Sequence, residues 1–112
     1  MTDTTNAAPG DQLASELAEL WSQYLPLTQQ RIGIIRAAAV AGSASDDELE
    51  TVRVAAHALM GALGLYGLQH GAAIAREVER MAGERAYDAQ LLDTAAAALD
   101  DLVNRPVCLT TP

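Results

Sequence analysis

The stretch Ser45-Asp-Asp-Glu-Leu-Glu-Thr-Val-Arg-Val-Ala-Ala-His-Ala-Leu-Met-Gly-Ala-Leu-Gly-Leu-Tyr66 decides the fold. Its first four residues read as a capping box. The Ser45 hydroxyl accepts from the third helical amide, and the Glu48 carboxylate reaches back to the Ser45 amide. Asp46, Asp47 and Glu48 also place negative charge at the positive end of the helix dipole. Leu49, Val52, Ala56, Leu59 and Leu63 then recur three and four apart, the narrow apolar seam of a bundle helix. This spacing predicts a helix to about Tyr66, roughly 30 Å long at 1.5 Å per residue.

Working outward, Gly42-Ser-Ala-Ser45 is a short loop. Upstream, Leu13, Leu17, Leu20 and Trp21 recur at helical spacing behind Asp11, a suitable N-cap. Pro26 marks a second helix start, because proline is tolerated in a first turn. Leu27, Ile32, Ile34, Ile35 and Val40 carry that helix to Gly42. Downstream, Gly67 is a C-cap glycine for which positive φ costs nothing. A helix follows over about Gln69 to Ala82, with Ala72, Ala73, Ile74 and Val78 apolar and Gly83 closing it. Asp88 caps a last helix to about Asn104 through Leu91, Leu92, Ala95, Leu99 and Leu102, and Pro106 prevents continuation. No strand pattern competes. The predicted fold is all-α: an antiparallel up-down four-helix bundle with a short extra N-terminal helix. Residues 1–10 read as a disordered lead, 11–104 as the bundle and 105–112 as a loose tail; loose ends of this kind suit a stand-alone chain.

Composition narrows the function classes. The chain has 112 residues, enough for one domain, and half are hydrophobic, so a core is feasible. Phe is absent and alanine abundant, which favours helices. The single Cys108 excludes a disulfide scaffold and a zinc site built on Cys pairs. Fifteen acidic residues face seven basic ones, all Arg, giving net charge −8. That balance argues against nucleic acid and against an anionic membrane surface as partners. The longest apolar run, Ala58 to Leu68, is too short to span a bilayer. The N-terminus lacks the positive start and apolar core of a signal peptide. These features describe a soluble cytoplasmic domain with no metal site and no cofactor of its own.

The chemistry rests on His57. On a helical wheel it falls roughly 120° from the apolar seam, on the solvent side. By periodicity alone, an exposed helical histidine is an ordinary solvated residue. Glycine inside a helix, however, costs about 0.5–1 kcal/mol relative to alanine. Gly61, one turn beyond His57, and Gly64 on its flank therefore serve either tight helix packing or the close approach of a partner.

Ala56-His57-Ala58-Leu59-Met60-Gly61 resembles the signature of histidine-containing phosphotransfer (HPt) domains, roughly Ala-His-x-Leu-Lys-Gly. Gly67, ten residues after the histidine, and the helix ending in Glu77-Val78-Glu79 extend the likeness over about residues 20–103. The resemblance implies a four-helix bundle that relays phosphoryl groups between receiver-domain aspartates, without binding ATP. It implies His57 as the phosphorylated nucleophile, Gly61 as clearance for the receiver and Gly67 as the turn glycine between the central helices. Partners would be response-regulator receiver domains or a hybrid histidine kinase, with Mg²⁺ on the receiver, and the chain itself a monomer. A neutral imidazole is a competent nucleophile near pH 7, and phosphoryl transfer needs mainly positioning and charge stabilisation.

One position departs from the pattern. Met60 stands where the family has Lys beside the phosphoryl group. Arg53, one turn before His57, is the candidate to supply that charge; otherwise it is a surface residue paired with Glu50 or another local acid. The docking face expected for a receiver comprises Arg53, Met60, Gly61, Gly64, Leu68 and Gln69. His70 reads as a polar rim residue that contacts a bound receiver, and Trp21 and Tyr24 as core anchors. Two further functions fit the same residues: a non-catalytic receiver-docking module, or a bundle that acts through dimerisation. Loss of transfer in His57→Gln, receiver binding, and a doubled mass in light scattering separate the three.

Overall fold

The computed structural model describes residues 9–104. It holds four helices: α1 (Pro9–Ala41), α2 (Asp46–Leu65), α3 (Gln69–Gly83) and α4 (Ala89–Val103). The loops between them are short, so successive helices run antiparallel. Contacts join α1 to α2, α2 to α3, α3 to α4 and α4 back to α1, which closes an up-down ring.

Local chemistry sets each boundary. The Ser45 capping box forms as its sequence dictates: Glu48 N–H donates to the Ser45 hydroxyl at 3.2 Å, and Ser45 N–H donates to the Glu48 carboxylate at 2.7 Å. Those bonds stabilise the ionised acid and hold the Glu48 pKa below its ordinary value. At the other end of α2, Gly67 takes φ +79. Leu68 N–H then reaches the Leu63 carbonyl at 2.8 Å and Gly67 N–H the Gly64 carbonyl at 3.1 Å, a Schellman closure. The same closure ends α3, but the left-handed position belongs to Arg85 (φ 57), not to Gly83. The Arg85 guanidinium offsets that strain by donating to the Ala82 carbonyl at 3.1 Å and to Glu50 at 3.3 Å. Asp88 caps α4, accepting from Leu91 N–H at 3.0 Å.

The separate N-terminal helix is not observed. Pro26 lies inside one continuous helix of 33 residues, and Asp11 lies within that helix and is not its cap. Pro9 and Gly10, expected in the lead, are its first residues. Proline removes one donor and crowds the preceding turn, at about 3 kcal/mol. Here Pro26 is exposed, so water can take the place of the missing donor, and core contacts hold α1 on both sides of it. Trp21 anchors the near side, its ring edge-on to Tyr66 at 5.0 Å, and Ile32 and Ile35 anchor the far side. Between them buried Thr28 satisfies its hydroxyl on the Tyr24 carbonyl at 3.1 Å. The remaining lead (1–8), the tail (105–112) and Cys108 lie outside the described residues.

The core follows the seam read from α2: Leu49, Val52, Ala56, Leu59 and Leu63 are all buried, against Val78 and Met81 of α3 and Leu92 and Leu99 of α4. The α1 pattern is where the expectation fails. Tyr24 is half exposed and is not a core anchor, and Leu13, Leu20, Leu27 and Val40 also face outward. The buried line of α1 runs through Trp21, Thr28, Ile32 and Ile35 instead. Among the described residues no helix is long and apolar enough to cross a membrane.

Candidate functional site

The turn at Gly67 folds α3 back along α2 and sets residue 79 opposite residue 57. His57 projects from the middle of α2 with 65% of its side chain exposed. Its Nδ1 lies 2.8 Å from Glu79 Oε2, a carboxylate only 23% exposed. In the neutral ring this contact requires a proton on Nδ1, donated to Glu79. The Nε2 lone pair then faces away from the contact, toward solvent.

Arg53 stands one turn before His57, and its guanidinium grips Glu50: Nε to Oε1 at 3.0 Å and Nη2 to Oε2 at 2.6 Å. Its Nη1 is 3.9 Å from the same Glu79 oxygen that holds His57. Arg85 reaches Glu50 from the loop after α3. A charge chain thus runs Arg85–Glu50–Arg53–Glu79–His57 across α2, α3 and that loop. The hydrogen bond from Arg53 holds the Glu50 pKa down at about 2, with a smaller share from Arg85, and the Arg53 pKa is raised chiefly by the same bond. Of the two roles read for Arg53, the structure shows the pairing with Glu50.

Gly61 and Gly64 extend the open line beyond His57. A Cβ built on either would meet nothing within 4 Å, so neither glycine serves packing inside the chain. Met60 and Leu68 are only partly exposed, with their side chains packed against the core. Gln69 and His70 lie at the start of α3, nine or ten residues from Glu79, or roughly 14 Å along the helix. They therefore stand apart from His57, and His70 lines a separate groove with Ile74, Leu91 and Ala95 between α3 and α4. Arg80 pairs with Glu77 and Glu84 on the outer side of α3. Among the described residues no group of three His, Cys, Asp or Glu converges as metal ligands would.

Glu79 is the residue that sequence reasoning missed as part of the site. Periodicity on α3 shows only one acid among several at its end. The signal was the turn: a helical hairpin centred on Gly67 and Leu68 brings residues about eleven away on each side to one level.

Fold and site together define a class: an antiparallel helical bundle that presents one oriented, exposed histidine from mid-helix. Comparison with family models then gives the family. The Hpt domain model matches residues 19–105, most of the chain, and the chain belongs to the Hpt domain family. Hpt domains serve histidine phosphotransfer in phosphorelays, working with receiver domains and kinases. Comparison with curated proteins and comparison with solved structures give no match.

Proposed function

We propose that this chain is a phosphoryl carrier in a multistep phosphorelay and that His57 carries the group. The observation that supports it is the 2.8 Å contact between His57 Nδ1 and Glu79, which leaves Nε2 as the free nucleophile on an exposed helix face. The donor is the acyl phosphate of a receiver aspartate. The Nε2 lone pair attacks phosphorus, an N–P bond forms, and the P–O bond to the aspartate breaks with its electron pair leaving on the carboxylate. The imidazole becomes cationic as it gains the phosphoryl group. Its Nδ1 proton stays directed at Glu79, whose negative charge compensates that developing charge. The reverse steps pass the group to a second receiver, and the Mg²⁺ that screens the phosphoryl oxygens belongs to the receiver.

Gly61 and Gly64 suit docking, because the room they leave is unused by the chain itself. One observation favours a second reading, a receiver-docking module that transfers slowly. Met60 brings no charge, and Arg53 is held by Glu50. The two readings part in one experiment. Wild type and His57→Gln are mixed with a panel of phosphorylated receiver domains. Acid-labile, alkali-stable phosphate on the wild type alone supports the carrier. Binding near His57 without transfer supports the docking module, and neither binding nor transfer defeats both.

A further inference from the structure

The outward face of α1 carries a second apolar line. Leu13, Leu17, Leu20, Tyr24 and Leu27 alternate four and three apart, and Ile34 continues the period after Arg31. This is the spacing of a coiled-coil seam. The bundle uses it only in part: Leu17 and Ile34 pack against the core, whereas Leu13 is 56% exposed, Leu20 41%, Tyr24 52% and Leu27 38%. The bundle is anchored about 80° further round, through Trp21, Thr28, Ile32 and Ile35. The α2–α3 turn meets α1 at Trp21 and α4 ends beside Gln29, and Leu17 is the first α1 residue packed on the core, so the turn of α1 that carries Leu13 extends past the described parts of its neighbours. An isolated helical extension of this length is marginal in water unless its apolar face is covered.

We propose that a second copy of this chain covers the seam, α1 packing antiparallel against α1. The seam is complementary to itself. With Leu20 set against Tyr24 of the second copy, Leu17 meets Leu27 and Arg31 lies beside Leu13 and Glu16. Among the described residues Glu16, Glu19 and Arg31 have no ion-pair partner. In this register opposite charges meet at both ends of the seam, as flanking charges do in coiled coils. The seam also runs into a groove of about 380 Å³ between α1 and α2, lined by Leu27, Arg31, Ile34, Val54 and Ala58. That groove receives the Leu13 end of the second α1. The strip is roughly 32 Å long and about 10–12 Å wide. It buries roughly 700 Å² over both copies, below the range of stable specific complexes, so the dimer is weak and exchanges.

The test is sedimentation velocity on the full chain from low-micromolar to sub-millimolar concentration. The mass should rise from 11.8 kDa toward twice that value as concentration increases. Leu20→Gln and Tyr24→Gln should each weaken association at least tenfold with helix content unchanged by circular dichroism, since both side chains are already exposed. Arg31→Glu and Glu16→Arg should each weaken it, and the two changes combined should restore it. A wild type that stays monomeric throughout overturns the proposal. Association that is indifferent to Leu20 and Tyr24 also overturns it, because another face then mediates the dimer. So does a seam that only a receiver domain covers. None of these outcomes depends on phosphorylation of His57.

Discussion

Replacing Gly61 with alanine should stabilise this protein while impairing its work. The position is mid-helix, where glycine costs about 0.5–1 kcal/mol relative to alanine through backbone entropy. A Cβ there meets no atom within 4 Å, so no packing term opposes the gain. Gly64 has the same open surroundings. At roughly 4–8 °C per kcal/mol for a domain near this size, each change should raise Tm by about 2–8 °C. Gly71 is the internal control. Its Cβ would meet Leu63 Cδ1 at 3.1 Å and Leu102 Cδ1 at 3.4 Å, so Gly71→Ala should lower Tm or leave it unchanged. Phosphotransfer should move the other way from stability. On the proposed function a methyl at 61 would narrow the space in which a receiver approaches His57, and Gly61→Gln, which would fill it, should slow transfer about tenfold, equivalent to about 1.4 kcal/mol. Melting curves and single-turnover transfer on the same preparations read both effects. If Gly61→Ala lowers Tm, the glycine serves internal packing. If Gly61→Gln transfers as fast as wild type, the clearance role is wrong.

Removal of the Glu79 carboxylate should slow acceptance by His57. The hydrogen bond, discounted for the exposure of the ring, is worth about 1 kcal/mol. Glu79→Ala should therefore be roughly three- to fivefold slower in rapid-quench assays, with Glu79→Gln intermediate; unchanged rates would remove Glu79 from the mechanism. Glu50 should titrate at about 2, below its ordinary value of 4.5, in a carboxyl NMR titration. Because the folded pKa is depressed, its tie to Arg53 and Arg85 is fully present above about pH 4.5 and is lost as pH falls toward 2. Arg53→Ala should return the midpoint toward the ordinary carboxylate range. Gly67→Ala should cost about 1–2 kcal/mol in chemical denaturation, because the turn requires φ +79.

Much of this was legible in the sequence where local chemistry and periodicity agree. Ser45 to Leu63 could be read residue by residue, because a capping box fixes the start and a seam three and four apart fixes the buried face. Gly67 and Asp88 were legible for the same reason: each meets a local backbone demand. What failed depended on tertiary context. Pro26 signals a helix start in isolation, yet core contacts through Trp21, Ile32 and Ile35 carry α1 across it. α1 also offers two apolar lines, and pattern alone does not tell which the bundle takes. Tyr24 reads as a core anchor beside Trp21 for that reason, yet it faces outward with Leu13 and Leu20. In the site, His57 and its open flank were legible from the wheel. Its partner Glu79 was not, because the pairing exists only once α3 folds back over α2.

On the proposed function, Glu79 holds the Nδ1 proton of His57 and leaves Nε2 to take the phosphoryl group. The direct measurement is heteronuclear NMR with ³¹P detection on ¹⁵N-histidine-labelled protein, before and after transfer from a phosphorylated receiver domain. Before transfer the imidazole proton of His57 should sit on Nδ1, and afterwards a phosphorus–nitrogen coupling should appear to Nε2 of His57. A coupling to Nδ1, or phosphate on His70, would contradict it.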